Sequence, residues 1–301
     1  MSQQSFDRST EDVGNILLLE HVNVTSPDPM LTSLFYVDGL GLTRDPYIDL
    51  GPDLQWINAG RQQFHLPVGP PQVVRGTIEV IVPDLVALVR RLGRIADRLS
   101  GTAFEYRVDG DGLAVRGPWG NRFRCVGPAP GDRVDLGLRC VELDVPTGTA
   151  EGIGRFYREV IGSPVAVADG RCTVIVGPGQ MLRFRETTDG IADYDGHHIA
   201  VYVADFSGPH RWLVERDLIL EESDRHQYRF LWIADPESGE RLFELEHEVR
   251  SLHHPLYQRP LVNRNAEQRL PTYTPGADPH RPGEGGAAAA VGLRDALTTV
   301  G

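Results

Sequence analysis

The chain has 301 residues, 42 of them acidic and 30 basic, for a formal charge of −12. A net negative surface repels phosphate backbones and anionic lipid, which disfavours nucleic acid and membrane partners. All 30 basic residues are arginine, so Schiff-base chemistry, pyridoxal-phosphate attachment and a phosphate-binding P-loop lysine are excluded.

The composition, 41% hydrophobic and 24% charged, suits a globular chain of about two domains. No apolar run reaches the roughly 18 to 20 residues that span a bilayer. Residues 1–14 are polar and acidic without the apolar core of a secretory signal, and read as a disordered lead-in. Three cysteines, Cys125, Cys140 and Cys172, form no CxxC pair. That usage predicts a reducing, cytoplasmic setting.

From about residue 15 to 250 one pattern occurs four times. Alternating strands are predicted at EHVNV (20–24), TIEVIV (77–82), CVELDV (140–145) and HIAVYV (198–203). Each runs through a turn into a helical stretch. The first and third stretches carry Phe35-Tyr36 and Phe156-Tyr157, and the second and fourth place Asp84 and Asp205 alike. Short strands close each unit at NAGRQQFHL, GPWGNRFRC, GPGQMLRFR and DPESGERLFELE. Equivalent starts at 21, 77, 140 and 198 lie 56, 63 and 58 residues apart, which fits one strand, one helix and about three strands. The domain reading is a pair of units at 15–130 and 131–250, holding two repeats each. Residues 251–270 read as an arm over the body, through Leu252, Leu256, Tyr257 and Leu261, and 271–301 as a loose tail.

This fourfold βαβββ repeat resembles the vicinal oxygen chelate superfamily, which includes glyoxalase I, bleomycin-resistance proteins and extradiol ring-cleaving dioxygenases. The resemblance rests on HVNV with Phe35 to Gly41, PWGNRFR at 118–124, FYREVIG at 156–162, HHIAVYVAD at 197–205 and DPESG at 235–239. It implies an α+β fold in which four modules form two cupped half-barrels. It also implies metal ligands at the head of a module's first strand and on the inward face of its last. Those places hold His21 and His65 in module one, Thr77 and Arg124 in module two, Cys140 and Arg183 in module three, and His198 and Glu244 in module four.

Pairing neighbouring modules would put a guanidinium, which keeps its proton and repels a cation, in each ligand set. The crossed pairing, one with four and two with three, gathers His21, His65, His198 and Glu244 in one cup. Three imidazoles and a carboxylate suit one divalent ion among Fe(II), Mn(II), Co(II), Ni(II) and Zn(II). Glu246 shares a strand face with Glu244 and is its substitute. Arg124 and Arg183 are expected to bridge carboxylates, and Cys140 to be a buried small hydrophobe.

Four protein ligands leave two positions on an octahedral ion, enough for a bidentate substrate and none for dioxygen. That count favours proton-transfer isomerisation, epimerisation or lyase chemistry on a small molecule with adjacent oxygens, with Glu244 or His65 as base. If His65 stands off the metal, the set becomes a two-histidine, one-carboxylate triad suited to extradiol or hydroquinone-type dioxygenation. The stretch from His226 through Trp232 and Asp235-Pro236 to Gly239 resembles the extradiol pattern, with Trp232 where a tyrosine is usual. His226, Tyr228, Phe230 and Trp232 then form an aromatic wall for a flat substrate, or else core packing. Asn23 and Tyr202 are further candidate contacts. A third reading is metal-free binding of a small molecule, as in resistance-type members. The resemblance also implies dimerisation, to which the arm is able to contribute.

Overall fold

The computed structural model describes residues 7–259 and 261, apart from 49, 131 and 133. The tail expected at 271–301 and the last part of the 251–270 arm lie outside the described residues. Of the lead-in expected to be disordered, residues 7–14 are described, and Asp7 caps a helical turn at Arg8–Glu11 there.

Each repeat is one strand, one helix and further strands. Module one has β1 (Ile16–Asn23), α1 (Pro29–Ser33), β2 (Thr43–Arg44), β3 (Leu54–Ala59) and β4 (Gln62–Pro67). Module two has β5 (Gly76–Ile81), α2 (Leu85–Ile95), β6 (Glu105–Asp109), β7 (Gly112–Arg116) and β8 (Arg122–Val126). Module three follows with β9 (Gly137–Pro146), α3 (Ala150–Arg155), β10 (Val165–Ala168), β11 (Arg171–Ile175) and β12 (Met181–Thr187). Module four closes with β13 (His198–Val203), α4 (Ser207–Val214), β14 (Ile219–Asp224), β15 (Gln227–Ala234) and β16 (Arg241–Ser251). Among the described residues no helix is long and apolar enough to cross a membrane.

The strands form two eight-stranded sheets in the crossed arrangement. Sheet one runs β14-β15-β16-β13-β1-β4-β3-β2 and unites modules four and one. Sheet two runs β10-β11-β12-β9-β5-β8-β7-β6 and unites modules three and two. Each has an antiparallel seam, β1 on β13 and β5 on β9. The segments 15–130 and 131–250 therefore do not own a sheet apiece. What ties module one to module two is helix packing, in which Arg91 of α2 donates to the carbonyls of Gly39 and Leu40.

Strand alternation divides each sheet into an apolar and a polar face. In sheet one Leu19, Val22, Phe64, Ile199, Val201 and Leu245 are buried on the apolar face. The repeated Phe-Tyr pairs explain how the helices lie between the sheets. Both pairs sit in a wide π-type turn that continues α1 or α3, at Leu34–Gly39 and Phe156–Ile161. Tyr36 packs on Phe64 of sheet one, and Phe35 on Phe123 of sheet two. Tyr157 likewise meets Phe184 of sheet two, while Phe156 meets Phe230 of sheet one. Asp84 caps α2 by accepting from the Ala87 N–H, and Asp205 does the same for Gly208. The matching aspartates of modules two and four are thus helix starters.

Tyr157 also anchors a buried imidazole. His247 donates from Nδ1 to the Leu245 carbonyl, so its Nε2 accepts from the Tyr157 hydroxyl at 2.6 Å. Tyr157→Phe removes the donor and leaves that nitrogen unsatisfied in the core, at a cost of about 1–2 kcal/mol. Urea unfolding of the two proteins measures it, and equal midpoints would contradict the assignment.

Candidate metal centre

The polar face of sheet one carries the site. Residues directly opposed across strands share a face, and the β1–β13 seam opposes His21 to Ala200 and Asn23 to His198. On the flanks, His65 of β4 lies beside Asn23, and Glu246 and Glu248 of β16 lie beside His198 and Ala200. All four candidate ligand strands therefore meet on one surface, as the crossed pairing requires.

Two imidazoles and one carboxylate converge there. The Nε2 atoms of His21 and His198 are 3.4 Å apart, and Glu248 Oε2 is 3.7 Å from His198 Nε2. Two ligands each about 2.1 Å from one ion are separated by roughly 3.0–3.4 Å at octahedral or tetrahedral angles, so the trio is close to ligand spacing. All three residues are buried. Burial drives both imidazoles toward the neutral form that ligates a metal: His21 lies well below the usual range, and His198 is at about 3, with Arg229 adding to the effect.

The carboxylate of the trio is Glu248, which corrects the expected Glu244. Glu244, Glu246 and Glu248 share the polar face of β16, and only the register chooses among them. Glu246 pairs with His198, as Gln63 pairs with His21, so the counterpart of His65 in module four is Glu248. Glu244 lies two pairs further along, opposite Trp232. β16 has 11 residues and runs on past the length of the closing strands of the other modules, which carries Glu248 to the ligand position.

A β-bulge supplies the residue that orients His21. The register slips between Leu19 and His21, and Glu20, which regular alternation would send to the far face, binds His21 Nδ1 instead. That bond leaves Nε2 as the lone-pair nitrogen, the usual outer support of a metal-bound histidine. Arg250 ties Glu20 (3.1 Å) to Glu248 (2.5 Å), and Arg229 bridges Glu246 (2.8 Å) and Glu248. None of Glu20, Arg229 and Arg250 was singled out from the sequence, since a bulge leaves no local signature.

His65 stands apart from the trio. Its ring stacks on His21 at 3.6 Å and on Trp56 at 3.6 Å, and its Nε2 meets Gln63 Oε1 at 3.1 Å. Among the described residues the groups fit to hold an ion are His21 with His198 and Glu248, and His21 with Glu20 and His65. The donor chemistry of the first fits a divalent first-row metal.

Other expected site residues separate into near and far. Asn23 lies on the polar face beside His198 and His65. Tyr202 is on that face too, its hydroxyl 3.4 Å from Arg250 and from His254 Nδ1. A bulge between Phe230 and Trp232 sends Trp232 to the polar side, opposite Glu244. Tyr228 and Phe230 are corrections: they point into the core, Tyr228 against Phe206 and Phe230 flat on His247 at 4.4 Å. The expected aromatic wall is therefore mostly packing. His226 is a further correction, for it occupies the exposed β14–β15 turn and accepts from Arg225. Asp235 of the DPESG turn is structural, gripping Arg155 of α3 through both oxygens. On sheet two Arg124 pairs with Asp111 and Glu79, and Arg183 with Glu142, while burial pushes the Cys140 thiol to about 12.

The arm, Leu252 to Arg259, folds over the Tyr202 end of the polar face. Tyr257 packs on Tyr202 at 4.9 Å, and a cavity of about 910 Å³ lies beneath, with Glu20 and Gln63 on its floor.

No family model matches the sequence, and no curated protein matches it. Solved structures do resemble the fold. Glyoxalase I from Zea mays aligns with 14% identity over 81% of this chain and 95% of its own, at a TM-score of 0.55. A putative dioxygenase from Bacillus subtilis aligns with 13% identity over 82% and 87%, at a TM-score of 0.53. The alignments extend over most of both chains, and this chain has the vicinal oxygen chelate fold.

Glu20→Gln keeps a hydrogen-bonding group beside His21 but loses the carboxylate, and should weaken metal retention about 10- to 100-fold. Competition with a fluorescent chelator reads the change; retention equal to that of the unmodified protein would remove Glu20 from the site.

Proposed function

We propose that this chain is a divalent-metal enzyme that binds a small substrate through two adjacent oxygens, at a centre held by His21, His198 and Glu248. The carrying observation is the convergence of those three donors with His65 turned aside toward Gln63 and Trp56. Three protein ligands leave three positions on a six-coordinate ion. The expectation of proton-transfer chemistry rested on four ligands. With three, a chelated substrate and dioxygen have room together, and ring cleavage of a catechol or hydroquinone is the reaction this supports best. The bound metal would supply Lewis acidity and a meeting point for two reactants.

The chain's own groups set the charge. Glu20, Glu246 and Glu248 face Arg229 and Arg250, so this cluster carries −1, and a divalent ion makes it +1. A substrate deprotonated at one or both oxygens is favoured by that balance. Glu246 is placed to take such a proton: it faces His198 Nδ1 at 3.7 Å, and burial holds its carboxyl above the ordinary glutamate range. That raised carboxyl also supports a second reading, enolising isomerase or lyase chemistry with Glu246 as base.

His198→Ala should abolish retention of Fe(II) or Zn(II) while the fold persists, as metal analysis and circular dichroism together show. Undiminished metal in the variant would remove the site. For the reaction, oxygen consumption with a panel of catechols and hydroquinones is expected, and turnover under strict anaerobiosis would instead favour the proton-transfer reading.

A further inference from the structure

His65 belongs to module one beside two of the proposed ligands, yet its ring is held in a stack. It lies between Trp56, directly across on β3, and His21 of β1, at 3.6 Å from each and at 20° and 27° to them. A metal ion on an imidazole nitrogen lies near the plane of that ring, about 2.1 Å from the nitrogen. Rings stacked this closely direct their lone pairs along nearly parallel planes. An ion bound to His21 therefore falls outside the plane of His65.

A chain of buried polar groups also fixes which nitrogen of His65 carries hydrogen. It starts at Asp45, whose carboxyl group meets four donors. The Tyr47 and Ile48 N–H groups donate to Oδ1, both at 2.9 Å, while Gln63 Nε2 at 2.7 Å and Arg259 Nη2 donate to Oδ2. A carboxyl group ringed by donors accepts from all of them, so the Gln63 amide must turn its NH2 toward Asp45. The same NH2 donates to Asn58 Oδ1. Gln63 Oε1 is then left facing His65 Nε2 at 3.1 Å. A carbonyl oxygen only accepts, so Nε2 bears the hydrogen and has no lone pair to give a metal. Asp45, Asn58 and Gln63 are all buried, where a fully satisfied network specifies a single arrangement. The arm joins this network through Arg259, which shares Asp45 Oδ2 with Gln63.

We propose that Asp45 and Gln63 are positioning residues, which hold His65 as the Nε2–H tautomer in its stack and so limit the metal centre to three protein ligands. This deepens the metal-centre reading and rests on it for the meaning of the ligand count. Without an acceptor at Nε2, His65 is free to leave the stack and join His21, His198 and Glu248 as a fourth ligand. It would then take one of the positions that a chelated substrate and dioxygen need together.

The first readout needs no metal. Long-range proton–nitrogen correlation NMR of the imidazoles, on the full chain in EDTA, should show His65 as the Nε2–H tautomer, its Nε2 proton moved downfield by the bond to Gln63. Gln63→Glu keeps an oxygen toward Nε2 whether or not the new carboxyl group is ionised, and should retain that signal. Gln63→Met, similar in length but without the acceptor, should lose the downfield shift while circular dichroism shows the fold intact. The second readout is the same chain loaded with Co(II), in which each ligating imidazole gives one exchangeable, paramagnetically shifted ring N–H signal. Two such signals are expected in the unmodified chain and in Gln63→Glu, and three in Gln63→Met. An Nδ1–H tautomer in the unmodified chain, an unmoved Nε2–H signal in Gln63→Met, or the same number of shifted signals in that variant as in the unmodified chain would overturn the proposal. If Gln63→Met fails to fold, the tautomer of the unmodified chain still decides. Failure of the metal reading would appear separately, as protein that retains no Co(II), and would leave the tautomer result standing.

Discussion

The antiparallel seam between β1 and β13 is the constraint on which the rest depends. It opposes residues 175 or more positions apart only because the first and last modules share a sheet, and its register puts His21 and His198 on one face with their ring nitrogens 3.4 Å apart. A one-residue slip would turn one histidine into the helix layer. The register is held by burial on both sides of the seam: every residue of β13 is buried, with Ile199 and Val201 against the helices and His198, Ala200 and Tyr202 on the polar face. Repeated Phe-Tyr turns wedge between the two sheets and keep their apolar backs covered, so the polar faces remain free to become cups. Among the described residues, the groups with the chemistry for a cation lie in the cup of sheet one. The other is occupied by arginine–carboxylate ladders such as Arg183–Glu142 and Arg185–Asp144.

Around the trio, charge is arranged in alternating signs. Arg250 and Arg229 hold the glutamates in place and offset much of their charge, while the imidazoles stay neutral through burial. Removing one member of such a network leaves its partner exposed to the low-dielectric interior, so the ion pairs specify geometry more than they add stability. Glu20 is the clearest case. A single bulge lets adjacent residues of β1 face the same cup, one as proposed ligand and the next as its support.

Much of this was legible in the sequence. The repeat defined the modules, and the impossibility of a guanidinium as a metal ligand selected the crossed pairing that the sheets adopt. The ligand places that the resemblance implies hold His21 and His198, and the two side chains meet on the polar face of sheet one. Register and bulges were not legible, because they depend on long-range pairing. Three glutamates in alternation on β16 give the same face to Glu244, Glu246 and Glu248, and only contact with β13 distinguishes them. A bulge likewise brings Glu20 into the cup and separates Trp232 from Tyr228 and Phe230, which even spacing had placed together. His226 was favoured by a local motif, yet its position in a hairpin turn takes it away from the centre. The arm's role was half visible: its apolar residues announced contact with the body, but nothing in the order of residues pairs Arg259 with Asp45.

The position at which a metal binds is the most direct discriminator. A crystal structure of the metal-loaded chain, with anomalous scattering used to locate the ion, is the decisive measurement. The ion should lie among His21 Nε2, His198 Nε2 and Glu248, with His65 still stacked between His21 and Trp56. An ion held by Glu20, His21 and His65, or one bound on sheet two, would contradict it.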